Sequence, residues 1–174
     1  MNPNRIGQPV LYCAGLALVS TAALGLALAG RAPASARLAT AWQSRLGPVP
    51  ELPGRFLPAA TNAGMGLLLG LLALIPLGFE VIFPIRGLGY GWVDSGPYDT
   101  AWGGPSRAGA WTAHALIGAA LAVIGLAMMT GIAALHRRWT GRLAGAPGGV
   151  WVLPVAIVSG AAGALFFIGW LQQI

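Results

Sequence analysis

The fold is decided by residues 111–135, which read WTAHALIGAALAVIGLAMMTGIAAL and contain no Asp, Glu, Lys or Arg. A run of this length is enough to cross a hydrocarbon core of about 30 Å as an α-helix. Three further runs, 10–30, 62–83 and 150–171, have a similar length and composition. Glu80 is the only charged side chain within the four runs. The sequence therefore predicts an all-α integral membrane protein with four transmembrane helices in a bundle.

The composition of the 174-residue chain agrees with this prediction. Hydrophobic residues make up 56% of the chain and charged residues 8%, whereas a soluble domain carries about 25% charged residues. Four spans leave no room for a separate soluble domain, so residues 1–174 are expected to form a single membrane domain. The single cysteine, Cys13, excludes an internal disulfide, and we expect it to be a small packing residue.

Ten arginines and no lysines give the chain its net charge of +6. The loops 31–61 and 136–149 carry most of the arginines, whereas the loop 84–110 has two arginines balanced by two aspartates. Because arginine-rich loops face the cytoplasm, the pattern places 31–61 and 136–149 inside, and 84–110 with both termini outside. The predicted location is the plasma (inner) membrane, with multiple passes. Arginines in short loops do not form the basic stripe of a nucleic-acid-binding face.

The first loop is predicted to contain a short interfacial helix. Leu38, Trp42 and Leu46 recur every four residues, and the helix would run from Ala34 to Leu46. The glycine and proline that follow would end it. A plain solvated linker is the alternative.

Small residues recur four positions apart in three of the four runs, which lets helix backbones approach closely. The pairs are Gly66/Gly70, Gly118/Ala122, Ser159/Gly163 and Gly160/Ala164. We expect them to serve packing within the chain, with a homo-oligomer as the alternative. Pro76 and Pro84 are expected to kink or end the second span.

Glu80 and His114 are candidate functional residues because ionisable groups within a membrane span are functional by default. Each is predicted to lie about one turn inside the outer end of its span, so the two side chains could hydrogen-bond. Such a pair would fit proton coupling or pH sensing. In the alternative interpretation Glu80 pairs with Arg86 or lies among the lipid headgroups.

The outer loop and the start of the third run are rich in aromatic side chains and glycine. The aromatic residues are Tyr90, Trp92, Tyr98, Trp102 and Trp111. Aromatic side chains at this position commonly form an interfacial belt. They could instead line a small-molecule site, with Asp94 and Asp99 as its polar partners. Both interpretations stay open, and Trp102, Trp111, Asp94 and Asp99 are candidate functional residues.

Arg137, Arg138 and Arg142 form the candidate cytoplasmic contact surface. They are first a topology anchor, and they could also bind anionic lipid or a protein partner. The adjacent His136 is expected to be a surface histidine. No catalytic or nucleotide-binding motif is present, and two histidines with four scattered acids give no metal-ligand spacing. We therefore predict no catalytic, cofactor-binding or metal residues, and a protein that is not an enzyme.

Two segments of the sequence are similar to a known family. Residues 102–114, WGGPSRAGAWTAH, and 131–145, GIAALHRRWTGRLAG, resemble the sensor membrane domain of actinobacteria. That domain often precedes sensor histidine kinases and also occurs alone. The resemblance extends over residues 31–145 and implies a sensory function. The chain differs from the family in having a first run that crosses only once, a fourth run, and no kinase segment.

These observations together favour a non-enzymatic membrane sensor or accessory protein that relays an outer or membrane signal. Its expected partners are the lipid bilayer and a kinase, a regulator or a transporter subunit. One alternative is a small proton-coupled transporter or channel that uses Glu80 and His114. Another is a structural subunit of a membrane complex.

Overall fold

The computed structural model describes residues 7–172, apart from the side chain of Trp170, and the regular structure in this range is helical. The helices are α1 (Gly7–Leu28), α2 (Ala32–Gln43), α3 (Phe56–Leu72), α4 (Leu74–Ile82), α5 (Tyr90–Val93), α6 (Arg107–Leu143) and α7 (Val152–Leu171). A 3-10 turn (Ser44–Leu46) follows α2, and a π-helical segment (Phe83–Leu88) follows α4. The two chain ends, which the charge pattern places outside, lie beyond the described residues.

Four stretches are long and apolar enough to span a membrane. They are Gly7–Leu28, Phe56–Leu88, Arg107–Leu143 and Val152–Gly169. This confirms the prediction of an all-α membrane protein with four membrane-spanning helices. The second and third stretches extend well beyond the apolar runs 62–83 and 111–135. A charged residue can limit an apolar run without ending the helix that contains it. The sidedness of the loops stays a prediction.

The second span is interrupted at Pro76. Proline lacks an N–H group, and its ring collides with the carbonyl group four residues earlier. For Pro76 that carbonyl belongs to Leu72, which is the last residue of α3. At Pro84 the helix does not end but continues as the π-helical segment to Leu88. The expected disruption is therefore confirmed at Pro76, and Pro84 changes the helix type instead.

The chain divides into two compact units. The first comprises the chain up to Leu74 together with the part from Met129 onward, and the second comprises Ile75–Met128. Helix α6 begins in the second unit and ends in the first. Each unit is described separately below.

In the first unit α1 and α3 approach closely at two glycines. A Cβ atom at Gly70 would lie 2.5 Å from the backbone nitrogen of Ala17, and one at Gly66 would collide with Ser20 Oγ. The prediction that Gly66 and Gly70 serve packing within the chain is therefore confirmed. Cys13 on α1 is also buried, as expected of a packing residue.

Two other predicted small residues also accept neighbouring side chains. In the first unit a Cβ at Gly160 would lie 2.9 Å from Leu68, which brings α7 against α3. In the second unit a Cβ at Gly118 would lie 2.6 Å from the ring of Phe83. Both glycines therefore make room for a bulky neighbour on another helix.

Helix α2 folds back along α1 rather than lying apart from it. Ala32 packs against Ala27 beside the turn, whereas Trp42 at the other end lies against Gly15 and donates its Nε1–H to the Tyr12 carbonyl oxygen at 3.3 Å. The linker alternative is therefore wrong. The residues of the predicted apolar stripe, Leu38, Trp42 and Leu46, are half-buried. The buried residues of α2 are Ala32, Ser35, Ala36, Ala39 and Gln43. Small side chains form this face because they let α2 approach α1 and α3 closely.

Candidate functional site

The second unit holds aromatic side chains packed around His114, and we name Tyr90, Tyr98, Trp102 and His114 the His114 cluster. The imidazole ring stacks on Tyr90, with ring centroids 3.7 Å apart and planes inclined by 8°. Trp102 stacks more loosely on the imidazole, at 6.2 Å, and Tyr98 is tilted against Tyr90. Tyr90 is 5% exposed and Trp102 is 66% exposed. The histidine ring therefore links a buried phenol to an exposed indole.

The hydrogen bonding of His114 makes its contact with Tyr90 sensitive to protonation. Its Nδ1 lies 2.8 Å from the carbonyl oxygen of Ala110, one turn earlier in α6. A carbonyl oxygen only accepts hydrogen bonds, so Nδ1 carries the proton and the neutral ring keeps a lone pair on Nε2. Protonation at Nε2 would place a cation over the aromatic face of Tyr90. Addition of a proton would therefore change the strength of this contact.

Trp111 and Arg107 fasten the first turns of α6 to the π-helical segment and to α5. The indole Nε1–H of Trp111 donates to the Leu88 carbonyl oxygen at 2.8 Å, and Arg107 donates to the Gly91 carbonyl oxygen. The Trp111 ring packs directly over Gly91, where a Cβ would collide with it. Trp111 is therefore an anchor of α6, and Trp92, which is 78% exposed, packs edge-on against it.

Asp94 is held by its neighbours, whereas Asp99 is exposed. The Asp94 carboxylate accepts a hydrogen bond from the Gly96 N–H at 2.9 Å and another from the Tyr90 hydroxyl. Tyr98 donates to the Asp94 backbone carbonyl instead, at 2.7 Å. The Gly96 N–H, and then the Tyr90 hydroxyl, hold the pKa of Asp94 below its ordinary value. The bond to Asp94 likewise raises the pKa of Tyr90.

Removing the Tyr90 hydroxyl should raise the pKa of Asp94 toward the ordinary aspartate value. In Tyr90→Phe the charged carboxylate loses one of its two donors, so protonation becomes easier. A ¹³C NMR titration of the aspartate side chains would measure the change. Because the folded pKa is depressed, the stability that this carboxylate contributes is present at neutral pH and is lost as the pH falls through that value.

Tyr98→Phe is the matched control, since the Tyr98 hydroxyl bonds to a backbone oxygen and not to the carboxylate. This variant should leave the pKa of Asp94 unchanged. Equal displacement in both variants would contradict the assignment of Tyr90 as the second donor.

The structure does not bring Glu80 and His114 together. Glu80 Oε1 lies beside Gly125, 3.0 Å from the position of a Cβ there. Gly125 is 11 residues beyond His114 (125 − 114), or about 16 Å along an α-helix. The predicted hydrogen bond is therefore wrong. Oε1 is buried without a hydrogen-bond partner among residues 7–172, so Arg86 does not bind this oxygen either.

The three arginines of the candidate cytoplasmic surface lie near the end of α6 and differ in their roles. Arg137 donates to the carbonyl oxygens of Leu46 and Pro48, at 3.0 and 3.1 Å. Arg138 and Arg142 are exposed. Arg137 therefore holds the segment after α2 in place, and the other two are accessible to a lipid or protein partner.

A buried polar network in the first unit was missed by the sequence analysis. We name Tyr12, Gln43, Asn62, His136 and Thr140 the His136 network, and each is 3% exposed or less. The Tyr12 hydroxyl lies 2.6 Å from His136 Nδ1. Gln43 Nε2 donates to Thr140 Oγ1 at 2.5 Å, and Thr140 Oγ1 donates to Asn62 Oδ1 at 2.6 Å. The expectation that His136 is a surface histidine is wrong.

One sequence signal could have revealed this network. Met129, Ile132, His136 and Thr140 are buried on α6, and their spacing of three or four residues is that of one helix face. The arginines at 137 and 138 suggested a loop, although they lie on the other side of the same helix.

No family model, curated protein or solved structure matches this chain. The resemblance to the sensor membrane domain therefore stays a prediction. Within the described part of the chain, no three His, Cys, Asp or Glu side chains come close enough to hold a metal ion.

Proposed function

We propose that this protein is a non-enzymatic sensor or accessory protein of the plasma membrane, which relays an outer signal to a partner through α6. The observation that carries the proposal is the stacking of His114 on Tyr90, at a ring distance of 3.7 Å. This contact joins an imidazole, whose charge depends on its protonation state, to a position near the start of α6. The exposed Arg138 and Arg142 lie near the end of the same helix.

The continuity of α6 supports a mechanical relay. The helix has 37 residues and contains no proline, so it can move as one body without a kink. A change at the His114 cluster would alter the contacts that position its first turns. The arginine surface at its other end would then be presented differently to a kinase, a regulator or a transporter subunit. The sequence resemblance to the sensor membrane domain of actinobacteria also supports this role.

A cysteine reporter near the end of α6 tests the relay. Ala146 is exposed in the loop that follows α6, and Ala146→Cys in a Cys13→Ala background leaves all three arginines intact. The rate of maleimide labelling at this cysteine, in membrane vesicles of known orientation, should change by about threefold when the outer pH falls from about 7.5 to 5.5, because a proton added at His114 Nε2 would alter the contact with Tyr90.

His114→Gln should abolish the pH response of the labelling rate, since it removes one side of the stacked contact with Tyr90. Trp102→Ala should weaken the response, since it removes the indole that stacks more loosely on the imidazole. Trp92→Ala is the matched control, because it removes an equally exposed indole that packs on Trp111 and not on His114. A labelling rate that is independent of the outer pH in the unmodified cluster would overturn the proposal. So would a response that survives His114→Gln.

A further inference from the structure

Ser20 presents a buried hydroxyl group to a small internal cavity of the first unit. Its side chain is 4% exposed, and its Oγ lies beside Gly66. Leu16, Asn62 and His136 also line the cavity. In a membrane interior, bulk water cannot reach a hydroxyl group, so its hydrogen-bond partners have to lie within the protein. The cavity offers room for such a partner beside Ser20.

Gly66 keeps the space between Ser20 and His136 open. A Cβ atom at this glycine would collide with Ser20 Oγ and would lie 3.0 Å from His136 Nε2. The two polar atoms therefore lie beside the same glycine. Any larger residue at position 66 would fill the gap that separates them.

The Nε2–H group of His136 forms only a long hydrogen bond. Because the Tyr12 hydroxyl is 2.6 Å from Nδ1 and donates to it, the ring proton lies on Nε2. The acceptor of that proton is the Asn62 carbonyl oxygen at 3.4 Å, which is beyond the ordinary range of 2.7–3.2 Å for such a bond. The ring can therefore donate to a better placed acceptor in the cavity.

The size of the cavity limits what it can hold. Its volume for a water-sized sphere is about 10 Å³, and a buried water requires roughly 10–15 Å³ by this measure and two or more polar partners. Ser20 Oγ and His136 Nε2 are two such partners. We propose that this cavity is a binding site for a single water molecule, which accepts from His136 Nε2 and hydrogen-bonds to Ser20 Oγ, thereby joining α1 to α6.

Water-selected solid-state NMR of ¹⁵N-histidine-labelled protein in liposomes tests this site. In the native protein, magnetisation should pass quickly from water to the His136 Nε2 proton although the ring is buried. In Ser20→Ala the transfer rate should fall about fivefold, since one hydrogen bond is lost. In Gly66→Ala it should disappear because the added methyl group fills the cavity. The Nδ1 resonance, which reports the bond to Tyr12, shows whether each variant keeps its fold.

Each variant has a matched control on the same helix. Thr21 is exposed and bonds to the Ala17 carbonyl oxygen, and a Cβ at Gly64 would meet nothing within 4 Å. Thr21→Ala and Gly64→Ala should therefore leave the transfer unchanged. Absence of rapid transfer in the native protein would overturn the water site, and so would equal transfer in Ser20→Ala, Gly66→Ala and the controls.

Discussion

Replacing His136 with alanine should lower the free energy of unfolding by about 3 kcal/mol, through the cavity that the ring leaves and the loss of its hydrogen bonds. The Tyr12 hydroxyl, now 2.6 Å from His136 Nδ1, would be buried without a partner. A hydroxyl that cannot reach water or another acceptor destabilises the folded state more than the bond itself stabilises it. Unfolding in bicelles, followed by trapping of the unfolded state, would measure the difference.

Arg138→Ala provides the comparison for this variant. Arg138 lies two residues further along the same helix and is exposed, so its loss should change the free energy of unfolding by less than about 0.5 kcal/mol. If His136→Ala were as mild as Arg138→Ala, the His136 network would not stabilise the first unit.

Gly70→Ala should destabilise the protein by about 2–3 kcal/mol, because the added methyl group meets backbone atoms that cannot rotate away. The new Cβ would lie 2.5 Å from the nitrogen and 2.7 Å from the Cα of Ala17. Relief of this overlap requires α1 and α3 to separate along their contact. The same unfolding measurement would record the loss.

Gly64→Ala is the control on the same helix, since a Cβ there meets nothing within 4 Å. Alanine has a higher helix propensity than glycine, so this variant should be neutral or slightly stabilising. Equal effects at positions 64 and 70 would mean that helix propensity, rather than the contact with α1, governs these glycines.

The apolar runs predicted the four spans because bilayer thickness sets the length of a spanning helix. The Gly66/Gly70 pair likewise predicted a close helix contact, since the spacing places both residues on one face. These features depend on local pattern alone, so one sequence is sufficient to find them. In contrast, the burial of His136 and Thr140 beside exposed arginines depends on tertiary contacts, which no local pattern shows.

The contacts of the candidate residues were harder to predict than the residues themselves. Trp102 and His114 do meet, although Trp102 lies in the loop before α6 and this contact was not predicted. Glu80 and His114 do not meet. Their contact was predicted because Pro84 was expected to end the helix, which would place Glu80 close to the outer surface. The helix continues to Leu88 instead, which places Glu80 about two turns from its end.

The folding back of α2 along α1 has a consequence for biosynthesis. Tyr12, Gln43 and Asn62 all leave the ribosome before His136 and Thr140, which complete their network. The first three helices must therefore enter the bilayer with polar side chains that still lack their final partners. Their insertion machinery has to shelter these groups until the end of α6 arrives, so the slowest step of assembly should be the docking of that helix end.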